Sequence, residues 1–144
     1  MVKIPNFPTA EIEDLTMQKV RFQREYILNV SKNILFNCLS TPSGLSEWFA
    51  DDVNIKDGVY TFYWDGSEEE ARMLTKKRDE SIKFRWIEHE DEGEDTFFEL
   101  RIRLDALTGE TALIVTDYTD EDEVEEAILL WDSQIENLKR ILGS

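Results

Sequence analysis

Two hydrophobic periods decide most of what this chain can become. Phe98, Leu100, Ile102 and Leu104 alternate with Glu99, Arg101 and Arg103, the period-two pattern of a strand with one buried face. Further on, Val124, Ala127, Ile128, Trp131, Ile135, Leu138 and Leu142 recur at helical spacing, so one stripe of a long helix is apolar. Neither element can leave its apolar face in water. A sheet that covers the helix, and is covered by it, is the economical solution.

The rest of the chain supplies that sheet. Val20, Phe22, Tyr26, Leu28 and Val30 share one face of a first strand, with Gln23, Glu25 and Asn29 opposite; Arg24 breaks the apolar face and Ile27 the polar one. Ser31 offers an N-cap for a short helix through Ile34, Leu35 and Leu39. Thr41-Pro42 opens a second, with Leu45, Trp48 and Phe49. Strands are predicted at Asp51–Lys56 and Val59–Trp64, separated by the turn pair Asp57-Gly58 and followed by Asp65-Gly66. Glu68–Arg78 suits a helix by propensity, but its flanking hairpin signals favour a strand. Ile82, Phe84 and Trp86 form another strand, Glu88–Asp95 an acidic loop, and Ala112–Tyr118 the last strand. Asp120 and Glu123 have capping-box spacing at the start of the final helix, and Gly143 supplies its stop. The order is therefore one strand, two short helices, about six strands and one long helix, in an α+β, mostly antiparallel domain.

A single domain at 18–144 fits the length of 144 residues. Residues 1–17 hold Pro5 and Pro8 and no sustained period, and read as a mobile arm. The alternative is an overextended start, with Met17 as the initiator. The 32 acidic residues outnumber the 16 basic ones and leave a net charge of −16. That balance opposes nucleic-acid phosphates and anionic membrane surfaces. No stretch approaches the roughly 20 apolar residues of a membrane span. The chain start is not followed by the apolar run of a secretory signal. Cys38 is the only cysteine, which fits a reducing compartment. A cytoplasmic location is the expectation.

This order of elements resembles the START-like, or helix-grip, superfamily, and within it the Hsp90-ATPase-activator-like branch. Asn29-Val30-Ser31 leads from the first strand into a short helix, Leu45-Ser46-Glu47-Trp48-Phe49 is similar to that branch's Leu-x-x-Trp segment, and Phe84-Arg85-Trp86 to its apolar-x-Trp strand ending. Ser40–Asp52 and Asp120–Ser144 resemble more closely still a bacterial START-like group without an assigned activity. The resemblance covers roughly residues 18–142. It implies a seven-stranded antiparallel sheet gripping the last helix, with a cavity between them that in many relatives holds an apolar molecule. Other relatives are cyclases, hydroxylase domains or co-chaperones. The cysteine and histidine set of the iron–sulfur oxygenase relatives is missing here, so fold does not settle function.

The candidate site follows from these readings. Phe62, Trp64, Phe84, Trp86, Phe98 and Leu100 fall on inward strand faces, Trp48 on the second short helix, and Ile128, Trp131 and Ile135 on the long helix stripe. They line a ligand pocket or simply fill core. Trp131 is expected mid-helix, between packed core and pocket. Arg24 anchors an acidic ligand, pairs with an internal acid such as Asp117, or reaches water at a strand edge. His89 stands among Glu88, Glu90 and Asp91 and reads as a hairpin-tip residue. Cys38 reads as a buried structural thiol. The cluster Asp117, Asp120–Glu123 lacks the alternation and central glycine of an EF-hand loop. No catalytic residue, metal ligand or cofactor site is assigned. The favoured function is non-catalytic binding of a small apolar or amphipathic molecule. A protein-interaction module with a protein partner is the alternative, and a cyclase- or hydrolase-like enzyme the least favoured.

Overall fold

The computed structural model describes residues 19–143. The reading of residues 1–17 as an arm lies outside the described residues. Seven strands form one antiparallel sheet: β1 (Lys19–Leu28), β2 (Asp52–Lys56), β3 (Val59–Trp64), β4 (Ser67–Lys77), β5 (Ser81–Trp86), β6 (Phe98–Leu104) and β7 (Thr111–Asp120). Their spatial order is β1-β7-β6-β5-β4-β3-β2. Each strand from β2 to β7 thus lies beside its sequence neighbour, and β1 closes the far edge against β7. Helices α1 (Lys32–Ser40) and α2 (Pro42–Trp48) follow β1, α3 (Ile87–Asp91) follows β5, and α4 (Val124–Leu142) ends the fold.

Local chemistry sets these boundaries. Asp57 and Gly58 both adopt positive φ, 52° and 78°, the geometry of the tight turn that matches strand twist, and Lys56 faces Val59 across it. The Thr41 hydroxyl accepts the Gly44 N–H at 2.9 Å, so the N-cap predicted before Pro42 is formed. Gly44 is where α2 meets α1. A Cβ there would sit 2.3 Å from the Asn37 carbonyl oxygen and 2.7 Å from Cys38 Cα, so only glycine permits the approach. Two further bonds fasten this pair of helices: Trp48 Nε1 donates to the Cys38 carbonyl and the Tyr60 hydroxyl donates to the Ser40 carbonyl, each at 2.8 Å.

Residues 68–77 lie in a strand, β4, despite their helical propensity, and Arg78 begins the turn that follows. Pairing on both sides, with β3 and β5, overrides the intrinsic preference. Two expectations are corrected. The acidic segment after Trp86 is not all loop: Ile87–Asp91 winds into one short helix before the chain turns back. The capping box at Asp120 and Glu123 does not form either. A 3-10 turn, Glu121–Glu123, intervenes, and neither Asp120 nor Glu123 makes a side-chain cap bond. The Asp120 carboxylate lies instead 3.7 Å from Lys19 Nζ, which donates its hydrogen bond to Glu94 at 3.3 Å. Glu125 and Glu126 in the first turn and Lys139 and Arg140 in the last still complement the dipole of α4.

The core lies between the concave sheet face and the helices. Phe62, Phe84, Leu100, Leu113 and Val115 are fully buried, together with Ile135 and Leu138 of α4. Among the described residues no helix is long and apolar enough to cross a membrane.

Candidate functional site

Strand register shows which side chains share the concave face, because residues directly opposite one another point the same way. Phe62 is buried there, so its partner Glu69 points to that face as well, and Trp64 brings Ser67 with it. Ala71 lies opposite both Tyr60 and Trp86, and Phe84 lies opposite Phe98. The concave face is therefore aromatic through β3, β5 and β6, but turns polar along the first half of β4. A helix cannot cover Ser67 and Glu69 without desolvating them. The face stays open at that end, and a cleft of about 450 Å³ results.

Its apolar walls are Trp64, Trp86, Trp131, Phe49 and Leu130, and its polar groups include Ser67, Glu69, Glu88, His89, Asp117 and Gln134. Glu69, Glu88 and Leu130 are exposed and mark the opening. The cavity between sheet and helix is thus a cleft open to solvent at one end of their interface. The centre is filled by aromatic packing: Phe84 stacks on Phe98 with centroids 5.0 Å apart, and Tyr60 meets Phe84 edge-on at 4.9 Å.

Phe49 holds the seam between the core and the cleft. Its ring contacts Phe62, Trp64, Phe98 and Trp131 at 5.1–5.9 Å. Its carbonyl accepts from Trp64 Nε1 at 2.9 Å and from Gln134 Nε2 at 3.3 Å, which ties the sheet to α4 at the cleft floor. Trp131 is only 6% exposed. It stacks on Phe49 at 5.8 Å and leans on Phe98 at 6.2 Å while lining the cleft.

Asp117 supplies the deepest polar group. Its Oδ2 accepts from Trp131 Nε1 at 2.8 Å and its Oδ1 from the Tyr118 N–H at 2.7 Å. Burial raises its carboxyl from 3.8 to about 6, against the two hydrogen bonds, which pull it down. His89 also reaches the cleft, from α3. Its Nδ1 is 2.9 Å from the Thr96 hydroxyl and 3.9 Å from Glu94. The expectation of a hairpin-tip histidine is corrected: the short helix turns the ring inward.

Arg24 does not enter the site. It is exposed on the edge strand β1 and its guanidinium lies 3.6 Å from Asp132 of α4, not beside Asp117. Tyr26, one step along that face, donates to the same Asp132 at 2.6 Å. Burial, then that bond, pushes the Tyr26 hydroxyl up to about 12. Cys38 is buried in α1, and burial raises its thiol above the ordinary value, the setting of an inert thiol. Among the described residues no group of three or more histidine, cysteine or acidic side chains is placed to hold a metal ion.

Of the ten apolar site candidates, the structure brings Trp64, Trp86 and Trp131 together around the cleft. Phe62, Phe84, Phe98, Leu100 and Ile135 lie beneath it in the core. Trp48 is buried with its Nε1 on the Cys38 carbonyl and packs behind Phe49 at 5.4 Å without lining the cleft, and Ile128 is half-buried on α4 without lining it either. Phe49, Asp117, His89 and Glu69 belong to the cleft and were not among those candidates. A signal for Glu69 was available in register: two residues before Ala71, it lies on the face that alternation assigns inward.

A family model for the START-like superfamily domain matches residues 16–144. The chain belongs to the START-like superfamily. This START-like domain is 37% identical to a Bacteroides fragilis protein solved by NMR, with a TM-score of 0.61 over 87% of this chain and 92% of that one. It is similar in fold to the Aha1 dimer from Colwellia psychrerythraea, with a TM-score of 0.72 at 14% identity, covering 85% and 96% of the two chains. It is similar in the same way to a protein of the dynemicin biosynthetic locus, with a TM-score of 0.70 at 15% identity, covering 86% of this chain and 47% of that one. At these low identities the last two likenesses concern the fold alone. Among curated proteins nothing matches.

Proposed function

We propose that this START-like domain binds a small apolar or amphipathic molecule, without transforming it, in the cleft between the sheet and α4, and that it does so in the cytoplasm. The observation that carries this reading is the convergence of Trp64, Trp86 and Trp131 on one solvent-connected cleft of about 450 Å³. That volume suits a small ligand, and flat apolar walls with few polar groups are what such sites use. Each of these rings packs on the core with one side, as Trp86 does on Phe98 at 5.1 Å and Trp64 on Phe62 at 5.9 Å, and borders the cleft with another. The two groups with acid–base chemistry nearest the core, Asp117 and His89, are each engaged by the scaffold, through Trp131 and Thr96. This supports binding over catalysis.

A second reading, a protein-interaction module, draws support from Leu129 and Leu130. These adjacent α4 residues are 67% and 61% exposed and would suit an apolar partner surface. The cleft reading uses more of the molecule, because Leu130 itself forms one of the cleft walls.

Native mass spectrometry of the protein isolated from its own cells tests the proposal. The expected spectrum contains a complex heavier than the chain by one small molecule. Leu130→Trp, which places an indole at the cleft mouth, is expected to abolish the complex while leaving the melting temperature within a few degrees. A complex that survives this substitution unchanged would place the ligand elsewhere and count against the cleft.

A further inference from the structure

The charge around the cleft narrows the chemistry of its occupant. Among the described residues lining it there is no lysine or arginine, while Glu69, Glu88 and Asp117 present three carboxyl groups to an otherwise aromatic wall. The wall continues past Trp86. On its other side a second groove of about 430 Å³ is lined by Glu68, Glu70, Asp91 and Glu92, and it shares Trp86, Glu69 and Glu88 with the first. The neighbouring cations are turned away or committed. Arg72 forms a two-point pair with Glu90, its Nε 3.0 Å from Oε1. Arg85 donates to the Thr96 carbonyl at 2.8 Å and lies 3.7 Å from Asp95. His89 is held by Thr96.

Such a site discriminates by charge. An anionic ligand would meet carboxylates on both sides of Trp86 and no counter-cation. A neutral apolar ligand would strip water from Glu69 and Glu88 and give nothing back. A cationic nitrogen gains twice, from the carboxylates and from indole faces that attract positive charge. Resting on the cleft reading above, we infer that the ligand is a small organic cation: a flat apolar body seated among Trp64, Trp86 and Trp131, with an ammonium or amidinium nitrogen at Glu69 and Glu88. The acidic groove beyond Trp86 gives such a nitrogen room to extend.

Three probes of one shape and different charge test this by isothermal titration calorimetry: naphthylmethylammonium, naphthylmethanol and naphthoate. The expected order is cation first, by about tenfold over the alcohol, with naphthoate weakest. The double variant Glu69→Gln, Glu88→Gln alters two exposed side chains, so the fold should persist, as its circular dichroism and melting temperature can check. In that variant the cation should fall to within about threefold of the alcohol, while the alcohol binds as well as before or more tightly, since an amide costs less to desolvate than a carboxylate. An alcohol that binds the native protein as tightly as the cation overturns the assignment of ligand class and leaves the cleft reading standing. A cation preference that survives in the double variant overturns the role of the two glutamates. Failure of all three probes to bind counts against the cleft reading as well.

Discussion

Trp131→Ala is expected to lower the unfolding free energy by about 3–5 kcal/mol, the range for emptying a large packed site. Trp131 is 6% exposed and touches Phe49 and Phe98, so the substitution removes the contact between core and cleft. It also takes away the donor that holds Asp117 Oδ2 at 2.8 Å. Trp131→Phe separates the two losses. It keeps most of the buried ring, but leaves a buried carboxylate oxygen without that donor, at a cost of about 1–3 kcal/mol. Urea denaturation of both variants checks the order Ala below Phe below native. Because Trp131 also forms a cleft wall, both variants should change the affinity of a cleft ligand, and Trp131→Phe by more than its modest loss of stability suggests. Two variants of equal stability would contradict this account of the indole.

Asp117 makes stability depend on pH in the less usual direction for a carboxylate. Its folded value, about 6, lies above its ordinary 3.8 because burial disfavours the charged form. Between those two values the native state holds the proton more tightly than the unfolded chain does. This group therefore favours the fold at low pH, and that contribution is lost as pH rises through about 6. The change amounts to about 1–3 kcal/mol, the lower figure applying to the extent that the half-buried side chain keeps water contact. Asp117→Asn cannot titrate. It also keeps only one oxygen acceptor for the two donors, Trp131 Nε1 and the Tyr118 N–H. The variant should be less stable than the native protein at about pH 4 and should gain relative to it by about 1–3 kcal/mol by pH 7.5. Comparing the two proteins at each pH removes the shared effect of the remaining surface charge. A difference that stays flat across this range would show that Asp117 is ionised throughout.

The fold was legible because most of its signals are local. Strict alternation at Phe98–Leu104 marked β6, the pair Asp57-Gly58 marked a hairpin, and the helical stripe through Trp131 and Ile135 marked α4. The short helix α3 was not legible, since Ile87–Asp91 is acidic and carries no apolar period. The missing capping box has a different cause. The 3-10 turn Glu121–Glu123 separates Asp120 from the start of α4, and nothing in the local residue pattern announces it. The candidate site was legible only in part. Periodicity shows which strand residues face inward, but not which of them the helix covers. Trp64 and Trp86 differ from Phe62 and Phe84 by their position along β3 and β5, at the end where β4 turns polar. Asp117 and His89 reach the cleft through pairings and a helix that exist only in three dimensions.

The central claim, that the open end of the sheet–helix interface receives a small molecule, is tested most directly by the indole N–H resonances of the four tryptophans. Trp64, Trp86 and Trp131 line the cleft, whereas Trp48 is buried against the Cys38 carbonyl and serves as an internal reference. On titration with a binding probe such as naphthylmethylammonium, the account predicts that the three cleft indoles shift together along one saturable curve while Trp48 stays nearly fixed. Shifts that leave Trp64, Trp86 and Trp131 in place, or that move Trp48 as much as the others, would contradict it.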